Sequence, residues 1–315
     1  MTIPIMKPLL REEVRKTLMP KGVFNKMWIR IILIITLNLV SSQAEPKKGV
    51  HIMDVKMIQE RINKADQTIL NDLAAIPDSD YSSLKTIVQS TNQTSREILL
   101  RFCMHYASPW SKEILFQLIR DKNSSIRAMA AEEVRGRSRK GDAKRLFLDL
   151  EFQYSQKDNE SSVANELVLA IGNTKEIEAV EPLMILRKKE KDPETLEAYD
   201  RALAKLGFQK ETRKIDFALK HGAPKDKSKA LKALQYINDV VWIPKIVPLL
   251  LNEMATHHTS MGPENFTLRV CDEALETLAM IDPEKKIPFE VTPPEGTPFS
   301  KEQMNTVRKA YGLSK

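Results

Sequence analysis

The sequence predicts an all-α chain, an α-solenoid (superhelix) of about five to six stacked helix pairs. A helical N-terminal cap and a Pro-rich C-terminal arm complete it. Three observations carry the expectation. Residues 158–186 read as helix, turn and helix, the turn closed by Ile171, Gly172 and Asn173. Variants of this unit recur from about residue 95 to about residue 267. Small residues recur at one place in each variant: Ala130, Ala131, Ala202, Ala233 and Ala274. A helix with one apolar stripe cannot bury it alone, and stacked copies bury it between neighbours. Small side chains let neighbouring helices approach closely. Gly172 and Gly207 are expected to take the positive φ of a helix C-cap. Pro182 and Pro244 are expected at helix starts, where no donor is needed.

The first 44 residues stand apart from that array. Lys26 and Arg30 flank the start of an apolar run over 27–40, and Ser42-Gln43-Ala44 follows with small residues at the third and last positions. This is the form of a secretory signal, starting at Met27 and cut after Ala44. Export to a periplasm, cell envelope or exterior is expected, and retention of 28–40 as a membrane anchor is the alternative. Residues 1–44 hold seven Lys/Arg and two Glu, and the whole chain has net charge +7. Removing them leaves 42 basic and 40 acidic side chains, a net of +2. Most of the basic excess is in the removable segment, so charge gives little support for nucleic-acid binding. A membrane partner is expected only if the signal stays uncut.

Residues 45–92 form the cap. Val55, Ile58, Ile62, Ala65, Ile69 and Leu73 recur at helical spacing over 51–75. Pro77 ends that helix, and 82–89 adds a turn or two.

The repeats occupy 93–290. Aligned on their turns, they start near 95, 126, 160, 195, 226 and 267, in steps of about 31 to 41 residues. Ile126-Arg127 opens one copy and is followed by AMAAEEV. Ala202-Leu203 and Leu206-Gly207 mark another. Ala233-Leu234 leads to Ile237-Asn238-Asp239, and Ala274-Leu275 marks the last. These patterns resemble the HEAT repeat, in its short PBS-lyase HEAT-like variety. In that variety a Val-Arg-x-Ala-Ala helix, an Ile-Gly-Asp turn and an Ala-Val-Pro-x-Leu helix follow one another. The resemblance implies a scaffold that binds another protein along the face lined by its second helices.

Between the last two copies, residues 255–265 read as a loop from their Gly, Pro, Ser and Thr content. They hold the pair His257-His258, and no carboxylate or third His at useful spacing makes it a metal site. Beyond Pro283 the Pro-rich stretch is expected to run as an extended arm. Ser300 to Gln303 has the form of a capping box before a short last helix. The arm and last helix belong to the terminal segment 291–315.

Cys103 and Cys271 fall in the first and last copies among apolar neighbours, and free buried thiols are expected. Four Asn-x-Ser/Thr sites occur, at Asn92, Asn123, Asn159 and Asn265. The sequence contains no Gly-rich phosphate loop, His-Glu-x-x-His or Gly-x-Ser-x-Gly. None of the five His is followed by Glu, unlike the iron-binding His-Glu pairs of the deoxyhypusine hydroxylases, which resemble this repeat class. Phycobilin lyases and HEAT-like alkylpurine glycosylases also share the repeat, but export conflicts with their roles. The expectation is therefore a non-catalytic protein with no catalytic residues, metal or cofactor, bound to an unidentified protein partner. A cytoplasmic nucleic-acid-binding or base-repair role is the alternative if the signal is a misread start. One basic cluster is a candidate contact for an acidic partner: Arg127, Arg135, Arg137, Arg139, Lys140, Lys144 and Arg145.

Overall fold

Several helices start where the sequence supplies a capping side chain, at Asn92, Ser108, Asn123, Asp192 and Ser300. The computed structural model describes residues 60–61, 84–106, 108–156, 161–261, 264–282, 284, 287, 289, 291 and 298–313. All belong to one compact unit, Met53–Lys315. The signal segment, most of the 51–75 helix and most of the Pro-rich arm lie outside the described residues.

A short α1 (Lys85–Val88) falls within the helical turn expected at 82–89. Five helix pairs follow: α2 (Gln93–His105) with α3 (Pro109–Leu118), α4 (Ser124–Arg137) with α5 (Ala143–Ser155), α6 (Ser161–Asn173) with α7 (Val180–Arg187), α8 (Pro193–Lys205) with α9 (Gln209–His221), and α10 (Pro224–Ile237) with α11 (Ile243–Ile246). Then come a β-hairpin, α12 (Val270–Ile281) and α13 (Lys301–Ala310). The Asn92, Asn123 and Asp192 side chains accept from Thr94, Ile126 and Thr195 amides at 2.9, 3.1 and 2.8 Å. They satisfy donors that a helix start leaves orphaned. Two of the four Asn-x-Ser/Thr sites are thus helix caps. The Ser300 capping box is formed: its hydroxyl accepts from the Gln303 amide at 3.2 Å, and Gln303 returns an acceptor to the Ser300 amide at 2.9 Å.

The first helices of successive pairs pack on one another, and their contact surfaces are built from Ala130, Ala131, Ala164, Ala170, Ala202, Ala233 and Ala274, all buried. Gly172 departs from expectation. It lies inside α6 rather than at a positive-φ cap, and Lys175 takes the left-handed φ of 56° instead. A Cβ at Gly172 would stand 2.3 Å from the Tyr236 hydroxyl and 2.9 Å from the Ala202 Cα. Glycine is there because two other first helices come too close for a methyl group. Gly207, at φ 84°, does take the expected cap conformation.

Such close approach sets one helix end against the next, and a helix end leaves carbonyls unpaired. The last residue of three first helices answers this for a neighbour. Arg137 donates to the Met104 and Tyr106 carbonyls of the α2 end at 2.9 and 3.1 Å. Asn173 donates to the Arg135 carbonyl at 2.7 Å. Lys205 donates to the Tyr236 carbonyl at 2.6 Å.

The second helices are joined differently, by ion pairs. Arg145 meets Glu113 at 2.7 Å and Arg120 meets Asp149 at 2.6 Å, tying α5 to α3. Lys245 of α11 meets Asp216 of α9 at 2.7 Å. Glu176, just before α7, accepts from the Gly141 and Ala143 amides at the start of α5. Pro244 and Pro248 interrupt the last second helix, so α11 is flanked by 3₁₀ turns at Val240–Trp242 and Val247–Leu251.

Residues 255–265 are not a loop. β1 (Ala255–Met261) and β2 (Glu264–Arg269) pair antiparallel, with Met261 opposite Glu264 and a bulge between Ala255 and His257. Thr256 and Leu268 are buried and pin the hairpin to the helices. Neither strand carries a strict apolar alternation, so the Gly, Pro, Ser and Thr content was the stronger sequence signal.

The core falls into two clusters. One runs from Leu84 to Leu206, the other from Ala204 to Val307, and Tyr236 packs against both. Cys103 and Cys271 are buried and free. Burial pushes their thiols up to about 12 and about 11. Among the described residues no helix is long and apolar enough to cross a membrane.

The first pair is locked to the second by a buried ion pair. Arg96 grips Asp121 with two bonds, 2.6 and 3.1 Å, and also donates to the Ser90 carbonyl at 2.7 Å. Arg127 donates to the Asp121 carbonyl at 2.9 Å. Asp121→Ala leaves Arg96 buried without its counter-charge, so a loss of about 3–5 kcal/mol in urea unfolding is expected. A loss under about 1 kcal/mol would show that the pair contributes no more than a surface ion pair does.

Candidate functional site

The seven basic residues singled out in the sequence do not form one patch. Arg127 is 1% exposed and spends a donor on the Asp121 carbonyl. Arg137 caps the end of α2. Arg135 pairs with Glu166 at 2.9 Å. Arg145 pairs with Glu113 and lies over the Phe116 ring at 4.0 Å. Arg139, Lys140 and Lys144 are exposed, in or beside the turn between α4 and α5. Cationic residues at helix ends thus divide into those that hold carbonyls or carboxylates and those that face water.

A different feature stands out on the second helices. Leu148 of α5, Ile185 of α7 and Phe217 of α9 are exposed large apolar residues. Each follows a buried anchor by two positions: Leu146, Leu183 and Ile215. Two residues along a helix turn it by about 200°, so each of the three faces away from its own core contact. Phe217, 66% exposed, is the largest of them. Its ring lies 5.1 Å from that of His221.

Beside Phe217 lies an open groove of about 640 Å³ between α8, α9 and α10. Leu196, Ile215, Ala218, Ala230 and Ala233 give it apolar walls. Its charged rim is largely paired: Arg187 with Asp200 at 2.6 Å, Arg201 with Glu197 at 2.6 Å, and Lys214 with Glu211 at 2.6 Å. The groove lies where the two core clusters meet, and the small side chains of α9 and α10 leave it unfilled.

The β-hairpin builds a polar cluster that sequence spacing did not show. Glu273, 4% exposed, accepts from Ser228 at 2.9 Å and Thr256 at 3.2 Å, and His257 Nδ1 stands 3.4 Å from it. The hairpin fold brings His257 to a carboxylate on the following helix. Nearby Glu276 has its carboxyl pushed up by burial, then by Glu273 and Asp272. Among the described residues no group of three or more His, Cys, Asp or Glu could hold a metal ion.

No protein-family model matches the chain, and no curated protein matches it either.

A cationic neighbourhood also forms where first helices end. Burial, then the charges of Lys175 and Arg135, hold the Lys205 ammonium down at about 8. It lies 4.3 Å from the Tyr236 ring centroid. A lysine lowered in the folded state binds fewer protons than the unfolded chain between pH 8 and its ordinary value near 10.5. This site therefore adds stability as pH rises through that window. Wild type should gain on Lys205→Met between pH 8 and 10.5 in urea midpoints, with a constant difference below pH 8. A difference that stays flat across the window refutes the shift.

Proposed function

We propose that the chain is a non-catalytic interaction scaffold, a solenoid of HEAT-like helix pairs that binds a protein partner on the outward face of its second helices. One observation carries this reading: Leu148, Ile185 and Phe217 expose large apolar side chains on three successive second helices. The helices of this array already bury their core stripes, so these residues serve no core. Large apolar side chains exposed at the same place in successive units favour a protein contact. The internal roles of Arg127 and Arg135 weigh against a continuous basic stripe for a phosphate backbone, and so support a protein partner over a nucleic acid.

In affinity capture with the full chain, wild type should retain a specific protein, and the triple variant Leu148→Ser/Ile185→Ser/Phe217→Ser should lose it at least about tenfold. All three positions are exposed, so both proteins should melt alike by circular dichroism. Equal retention by both, or no specific protein retained by wild type, would sink the reading.

The place of action proposed with it is outside the cytoplasm, after removal of residues 1–44. N-terminal sequencing of protein recovered from fractionated cells should find a mature chain starting at Glu45 in the envelope or medium. An intact start in the cytoplasm would overturn the location.

A further inference from the structure

The outward stripe of α9 is chemically unlike that of the other second helices. Lys210, Arg213, Lys214, Phe217, Lys220 and His221 share it at helical spacing, and all are exposed. The acidic residues of α9 are withdrawn from it. Glu211 is buried, and Asp216 is half-buried and paired with Lys220 at 2.9 Å and Lys245 at 2.7 Å. Lys214 is occupied by Glu211. Lys210 and Arg213 form no ion pair among the described residues, and they stand on the same stripe as Phe217. The helix thus presents an exposed phenyl ring beside unneutralised cations, with the apolar groove at its flank.

We infer that this face of α9 is the docking site for an acidic peptide segment of a partner protein, one that carries a bulky apolar residue. This rests on the interaction role proposed above and names the chemistry of the partner. Asp or Glu side chains of the peptide meet Lys210 and Arg213. The apolar residue packs on Phe217 and enters the groove between Leu196, Ala218, Ala230 and Ala233. The stripe from Lys210 to His221 is about 16 Å long, the reach of a short peptide. A nucleic acid fits less well, because Lys214 and Lys220 are already paired with carboxylates, and Lys210 and Arg213 alone are too few to track a continuous run of phosphates. Charge gives the peptide its orientation and speed of encounter, and the buried apolar anchor holds it.

The test selects random peptides displayed on phage against the full chain and measures the binding of the winners by fluorescence anisotropy. Winners rich in Asp and Glu around one Leu, Met, Phe or Trp are expected. Their affinity should fall at least about tenfold in Lys210→Glu/Arg213→Glu and in Phe217→Ala. It should also fall with added salt, and stay unchanged in Met280→Ala, at an exposed apolar position on α12 away from the stripe. Winners without acidic bias, or acidic winners indifferent to the α9 variants, overturn the inference. If they respond to Leu148 or Ile185 variants instead, the α9 assignment falls and the interaction role stands. If no peptide is enriched and capture of a partner also fails, both fall. A single-stranded oligonucleotide, or vesicles containing phosphatidylserine, binding more tightly than the peptides and lost with the same variants would assign the stripe to phosphate and overturn the peptide site.

Discussion

The approach of the first helices to one another sets the terms for the rest of this structure. At Gly172 there is no room for a methyl group beneath Tyr236 and Ala202. Helices packed through glycine and alanine set one helix end against the next, and a helix end carries carbonyls with no partner of its own. The chain answers with a side chain placed at the last residue of a neighbouring first helix: Arg137, Asn173 or Lys205. Packing distance and capping chemistry are therefore one requirement. A larger residue in the contact would separate the helices and also pull these donors away from their carbonyls.

Tight first helices leave the second helices on the outside, joined by ion pairs rather than by small side chains. That arrangement frees their outward faces from any duty in the core. Leu148, Ile185 and Phe217 can vary in character without disturbing the stack, because each is turned away from its buried anchor. On α9 this freedom has concentrated cations around a ring, while the acidic partners Glu211 and Asp216 are kept below the surface. The seam between the two core clusters adds a groove at the same place.

Much of the helical array was legible because its signals are local. The Ser300 capping box and the alanines at fixed places in each unit mark a helix start and the helix contacts from a few residues alone. What escaped depends on residues distant in sequence. Arg127 looks like a surface cation by type and is buried, because Asp121 and the packing of the first pair supply its surroundings. Gly172 looks like a turn glycine and is a contact glycine, because Tyr236 lies 64 residues further on. The strands at 255–269 were hidden by the Gly, Pro, Ser and Thr content of that stretch, and the nearness of His257 to Glu273 exists only once that hairpin closes. The distinction of α9 was also written in the sequence, as Lys210, Arg213, Phe217 and Lys220, but only burial shows which charges on that helix are already spent.

The division of the core at Tyr236 has a consequence for how the molecule comes apart. The two apolar clusters meet at one half-buried ring, a lysine cap and the Tyr236 bond to the Leu169 carbonyl. In a stacked array, local opening costs least at the element that buries the least apolar surface. The helix at their boundary, α9, contributes only Ile215 and Leu219 as buried apolar residues. It belongs to the low-cost end of such openings, where a surface can adapt its shape to what it meets.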